Sequence, residues 1–425
     1  MVLINELSPL QRMINSPGLD KAFEIIKREI PLTEIHEFPS GSICGDWEVP
    51  KSWEIKEAYI KDLNNNIITS SSESPLFVAP FSEEVEGCFD KREIENHLTT
   101  DKNYPDEFLL EHRNAYNFQL KDWGITLPYK KWISMKDDKY FVKISTIRKD
   151  SPMKVAEIFL QGETNQTICI CAHIDELCND DLSGCVVAIE LIKFLSEIKN
   201  RKYSYQVILS PELIGTIFFA GNNMKKIKNT IAMLNLETVG AGNQWNLKNS
   251  LSSSSKIDKS LELSFLTSGI QQKNIGFFEG YGNDERIYSW PTMSIPSVAI
   301  QKSPFEYYHT SGDTPERIDP KSLEEAIIIS LNFINILEKD YIPSFTNFLP
   351  PYLSKRDLYF DRLKDPENHN KYNNELLFNI NGEKSVVDLC KITNLDFNNV
   401  YKYLEKYYKQ ELISKKNINW NDKDE

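Results

Sequence analysis

"TICICAHIDELCNDDLSGCVVAIELIKFLSEIKN", residues 167 to 200, is the stretch on which the fold turns. Its first seven residues are nearly all apolar and too few for a helix, which predicts a strand buried on both faces. Residues 181–200 repeat apolar positions at helical spacing, which predicts a helix. Between the two, positions 171–185 hold one histidine and four acidic residues. That charge lies where an open α/β sheet collects its ligands, beyond the carboxyl end of a strand.

Working outward, the alternation continues from about 139. "YFVKIST", "KVAEIFL", "YSYQVILS" (203–210), "TIAMLNLETVG" (230–240) and "SIPSVAIQ" (294–301) read as strands, and "TIFFAGNNMKKIK" as a helix. A last helix is signalled in "IDPKSLEEAIIISLNFINILEKD". Asp319 is its expected N-cap and Pro320 its first residue, with Glu324 and Glu325 near the positive end of the dipole. Strands and helices alternating over some 200 residues predict an α/β/α sandwich on a mixed, mostly parallel sheet. "LDKAFEIIKREI" (19–30) adds an amphipathic helix before it. Residues 38–138 differ in character, with short alternating runs, aromatics and Asn-rich turns, and read as an inserted β-rich unit. "YLSKRDLYFDRLKDPENHN" reads as a linker, and 371–416 as helix, turn, helix and short strand, the order of a winged helix. The expected units are 1–37 with 139–345, the insertion 38–138, and a winged helix over 356–425.

The chain has 425 residues, 40% hydrophobic and 26% charged, with net charge −13. That balance speaks against a general polyanion binder. Residues 371–425 carry nine lysines, no arginine and nine acids, a net of zero. Nucleic acid is therefore not the expected partner, and the last unit reads as a protein-interaction or oligomerisation module. No apolar run is long enough to cross a bilayer. Seven cysteines without a paired framework, and no export signal in "MVLINELSPLQRMINSPGLD", place the expected location in the cytoplasm.

Metal-type residues stand at several strand ends. His173 ends the strand quoted first, Glu212 follows the strand 203–210, and Glu237 ends the next. Asp180 precedes the helix, where a bland reading makes it or Asn179 an N-cap, and His309 sits in "FEYYHTSGDTP". Two imidazoles and several carboxylates suit Zn²⁺, with Mn²⁺ or Co²⁺ as alternatives. Asp175, two residues after His173, is placed to bond the second ring nitrogen and orient it. Cys169 and Cys171 share a strand face with His173 and read as small buried hydrophobes. His36, His97, His112 and His369 have no metal-like company in sequence.

Taken in order, "AHID…NDDLSG", "PELIG", "MLNLETVG" and "EYYHTSGD" resemble the motifs of the zinc-dependent exopeptidase (aminopeptidase) superfamily over roughly 139–340. "DWEVPKSWEIKEAYIKD" and "NDERIYSWP" resemble a bacterial aminopeptidase-like subgroup with an inserted β-rich domain and a C-terminal winged helix. The resemblance implies that His173, Asp180, Glu237 and His309 bind metal, with Asp180 able to bridge two ions and Asp175 orienting His173. It makes Glu212 the general base toward a metal-bound water that attacks an amide carbonyl. One departure stands out. The superfamily has two adjacent glutamates where this chain has Pro211-Glu212, so the second metal is short of a ligand and one tight Zn²⁺ is expected. Asp284 and Arg286, with Tyr308 beside His309, are the expected substrate contacts, an acid for an α-amino group and Arg286 for a carboxylate.

The implied activity is hydrolysis of an amide in a small peptide or peptide-like metabolite. Two alternatives stay open: a metal-dependent aminoacyl cyclase or transferase on the same fold, and a non-catalytic peptidase fold acting as regulator or scaffold. Homo-oligomers through the winged helix or the β-rich insertion are compatible with either.

Overall fold

The computed structural model describes residues 1–359 and 369–420. Parts of the expected linker, and residues 421–425 of the expected winged helix, lie outside them. The main body is an eight-stranded sheet in the order Glu34–Phe38, Met153–Leu160, Ser204–Ser210, Thr167–His173, Thr230–Glu237, Ser297–Ser303, Gln244–Lys248, Gln272–Ile275. The four strands from Ser204–Ser210 to Ser297–Ser303 run parallel, and antiparallel pairs flank them. This is the mixed, mostly parallel sheet expected.

The strand Thr167–His173 shows why its sequence has no polar alternation. Ile168, Ile170 and Ala172 pack into a core shared with helices Pro17–Glu29, Leu182–Glu197, Lys256–Ser268 and Pro320–Lys339. Cys169 and Cys171 point the other way, into a second core with Phe218 and Phe219 of the helix Ile214–Asn222. Both faces are covered, so successive side chains are apolar. Asp319 caps the last long helix, accepting from Lys321 N at 3.0 Å, with Pro320 at its first position as expected.

The second core runs on into the insertion, whose antiparallel sheet has the order Ile67–Ser70, Ser52–Lys61, Lys139–Lys149, Val85–Asp90. The strand Lys139–Lys149 therefore belongs to the insertion's sheet, and the change of sheet falls after Lys149 rather than at 139. Its alternating pattern marked a strand but carried no information on which sheet it would join.

Residues 369–420 form helices His369–Asn379, Val386–Thr393 and Phe397–Lys409 and the strand Ile413–Lys416. Asn394 takes the left-handed conformation that ends the second helix, at the turn expected there. The strand pairs with Ile342–Phe345, which precedes the three helices, and no second strand of a wing follows it among the described residues. The unit is docked on the main body: its core includes Leu263 and Ile336, and Lys259 pairs with Asp388 at 2.9 Å.

Candidate metal centre

The four parallel strands end at one edge of the sheet, and their ends supply the site. His173 and Glu237 are the last residues of their strands. Ser210 ends the third and is followed by Pro211 and Glu212, and the chain leaving Ser303 reaches His309 within six residues. Parallel packing makes these ends neighbours although they lie up to 136 positions apart in sequence.

His173 is buried. Its Nδ1 is 3.1 Å from Asp175 Oδ1 and its Nε2 is 3.0 Å from Asp180 Oδ1 and 4.0 Å from Glu237 Oε1. The other oxygen of Asp180 lies 2.9 Å from His309 Nε2. Asp180 thus turns one oxygen to each histidine. Asp175 Oδ1 also accepts the Glu212 backbone N–H at 3.0 Å, so one carboxylate ties the ring of His173 to the turn carrying Glu212. All six residues singled out for metal binding or catalysis meet here.

The helix cap is neither Asn179 nor Asp180 but Asp181, whose Oδ1 accepts from Gly184 N at 3.0 Å and from Thr238 N at 3.1 Å. Asp180 is thereby free of capping. Its loop is held by Asp313, which accepts the backbone N–H groups of Asn179 and Asp180. Burial pushes the Asp313 carboxyl up to about 7. Arg12, fully buried, donates to the carbonyls of Ile174, Glu176 and Leu177 and fixes the other side of the loop. Arg12 carried no signal of this role in sequence because the oxygens through which it holds the loop are backbone groups more than 160 positions away.

Two further residues face the site from the insertion. Tyr116 donates its hydroxyl to Glu212 Oε2 at 2.6 Å. His112, which has no metal-like company in sequence, stacks on His309 with ring centroids 5.0 Å apart. Its placement follows from a short antiparallel contact: Leu110 N donates to His309 O, and Ser311 N to Phe108 O, each at 2.8 Å. Glu176 turns one oxygen toward each imidazole, and four non-glycine residues around the site, Glu176, Leu213, Thr238 and His309, have positive φ. Each costs about 1–2 kcal/mol and persists only where the surroundings over-determine it, which is usual at functional sites.

The expected substrate contacts fare differently. Tyr308 stacks between His309 (3.9 Å) and Tyr281 (4.1 Å), so it orients the His309 ring. Asp284 is fully buried with its carboxylate taken by Thr216 Oγ1 at 2.7 Å and Leu213 N at 3.0 Å, and burial pushes it up to about 7. Arg286 is exposed and lies over Gly282. Two residues apart on a helical turn, the acid and the guanidinium point to opposite sides, and the proposed clamp is not assembled.

The donor set fits a divalent cation. His173, Asp181 and Glu237 offer donor atoms within 4.8 Å of one another, all buried. Asp181 Oδ2 is sealed from solvent and makes no hydrogen bond among the described residues. Burial first, and then mutual repulsion, pushes the carboxyls of Glu176, Asp181 and Glu237 well up. Burial opposes ionisation of Asp180 too, but its bond to His173 and the closeness of the His309 ring outweigh it and hold that carboxyl well below its ordinary value. A nest of carboxylates that repel one another at the end of a sheet, with an orphaned oxygen among them, is stabilised by a bound dication.

A family model described as "Domain of unknown function (DUF4910)" matches residues 1–340. A curated protein of Clostridium acetobutylicum, provisionally named as a polysaccharide biosynthesis protein with an aminopeptidase-like domain, is 29% identical over 422 residues, covering 97% of this chain and 95% of the other. A crystal structure from the same organism, provisionally described as a peptidase, is similar with TM-score 0.85 and 28% identity, over 97% of this chain and 95% of that one. BSAP, a zinc aminopeptidase from Bacillus subtilis, is similar with TM-score 0.59 and 13% identity, over 79% of this chain and 93% of that one. The sandwich expected from the motifs is thus shared with zinc aminopeptidases.

Proposed function

This chain belongs to the family described as a domain of unknown function, DUF4910, and from that premise we propose that it is a metal-dependent amide hydrolase of aminopeptidase type. The observation that carries the reading is the meeting of His173, Asp180, Glu237 and His309 at the carboxyl edge of the sheet, with Glu212 beside them. The zinc-aminopeptidase fold of BSAP and the aminopeptidase-like name of the C. acetobutylicum relative agree with it.

His173, Asp180 and Glu237 would hold one ion, with Asp181 offering a further donor beside His173 and Glu237. Zinc bound there would supply a Lewis acid that polarises a carbonyl and lowers the pKa of water to about 7. Glu212 is the general base. Burial raises its pKa, and the Tyr116 hydroxyl and His173 draw it back. One oxygen is held by Tyr116, and the other is left to take a proton. Asp175 keeps the imidazole and the base in register through its two contacts.

A narrow cleft leads away from Asp175 and Glu176, with apolar walls that include Met13, Ile14, Phe81 and Leu110. Such walls suit a short peptide or peptide-like amide with an apolar side chain next to the scissile bond. The test is a panel of dipeptides and aminoacyl anilides given to zinc-loaded protein in ¹⁸O-water, with products read by mass spectrometry. One ¹⁸O in the released acid, lost in His173→Ala, is the expected result. Cyclised or transferred products without ¹⁸O, or equal turnover by His173→Ala, would overturn the reading.

A further inference from the structure

Around Glu176 a second set of donors converges, on the far side of Asp180 from His173. Glu176 Oε1 is 3.2 Å from His112 Nε2, and Oε2 is 3.6 Å from His309 Nε2. His309 Nε2 is in turn 2.9 Å from Asp180 Oδ2. Zinc–ligand bonds of about 2.0–2.1 Å at tetrahedral angles set donor–donor separations of roughly 3.3 Å, and these distances bracket that value.

Two observations mark the cluster as more than packing. His112 Nε2 is sealed from solvent and, despite its closeness to Glu176, makes no hydrogen bond of acceptable geometry among the described residues. Asp180 Oδ2 is in the same state beside His309. Pro211, beside Glu212 where the superfamily has a second glutamate, has no donor to offer.

The superfamily resemblance already implies a second cation at Asp180 and His309; we propose that His112, brought by the insertion, and Glu176 complete that position and replace the carboxylate missing beside Glu212. The proposal rests on the hydrolase reading only for the first ion, and it makes the insertion part of the centre.

The test is metal counting. Metal-free full-length protein is loaded with Zn²⁺, freed of excess by gel filtration and assayed by mass spectrometry. A Co²⁺ titration follows the visible bands of each site. Wild type should retain about two ions, and His112→Ala and Glu176→Gln about one, with affinity for the second ion down at least ~10-fold. Circular dichroism checks folding, and the isosteric Glu176→Gln serves if His112→Ala does not fold. A wild type that binds one ion or none, or variants that keep wild-type stoichiometry and cobalt spectrum, would overturn the site. If wild type binds two ions and the variants one while no amide is cleaved, the site stands and the hydrolase reading falls. If cleavage depends on His173 while both variants keep the wild-type metal count, the reverse holds.

Discussion

The hydroxyl of Tyr116, carried by the inserted unit, lies 2.6 Å from Oε2 of Glu212, which the main sheet carries. A donor aimed at a carboxylate favours the charged form. Tyr116→Phe removes that donor and should raise the pKa of Glu212. The acid limb of the kcat/KM profile should then move to higher pH, because the base needs a higher pH to stay ionised. Glu212→Gln should lower kcat by roughly 10²–10⁴-fold with metal content unchanged. Both are read from pH–rate profiles beside metal analysis, and an unmoved acid limb in Tyr116→Phe would count against the contact.

His173→Ala should abolish binding of the first ion, since the ring is that ion's only nitrogen donor among His173, Asp180 and Glu237. Asp175→Asn leaves the ligands in place but weakens the contact that orients the ring at 3.1 Å. Its metal affinity should fall about 10–100-fold. Competition with a chelator measures both, and equal affinity in Asp175→Asn and wild type would remove the positioning role.

Lys248 and Glu285 form a fully buried ion pair at 2.6 Å. Glu285 also accepts the backbone N–H of Asn283, whose side chain bonds Glu237. Lys248→Met strands a buried charge and should cost about 3–5 kcal/mol. Lys248→Met with Glu285→Gln removes both charges and should recover part of that loss. Urea unfolding of the two variants makes the comparison, and a mild single variant would show the pair to be dispensable.

Asp340, at the end of the last long helix of the main body, is buried and accepts from Val387 N. Burial pushes its carboxyl up to about 7. Between about pH 4 and 7 the folded protein keeps a proton that the unfolded chain has released, so this group's contribution to stability falls as pH rises through that window. Asp340→Asn should flatten the loss, which is at most a few kcal/mol. Thermal midpoints at pH 5 and pH 8 decide it, and parallel pH dependence in the variant and wild type would refute the assignment.

The sequence by itself determined the element types of the main body and the residue types at its strand ends. Both are local properties: apolar runs covered on two faces, helical spacing, a proline after an aspartate. It also carried His173, Asp180, Glu212, Glu237 and His309, because each lies at or just beyond a strand end or in a short motif. Tertiary structure decided which of three adjacent polar residues caps the helix. The cap is Asp181, because its side chain alone reaches Gly184 N and Thr238 N, and that releases Asp180. It also decided that Asp284 turns inward and Arg286 outward, and that Lys139–Lys149 joins the insertion's sheet. His112 and Tyr116 could not be found from spacing, since they reach the site only through backbone pairing of Phe108–Leu110 with His309–Ser311, about 200 positions away. Pairing of that kind is made by main-chain groups that every residue possesses, so it leaves no mark on the side chains that a sequence records.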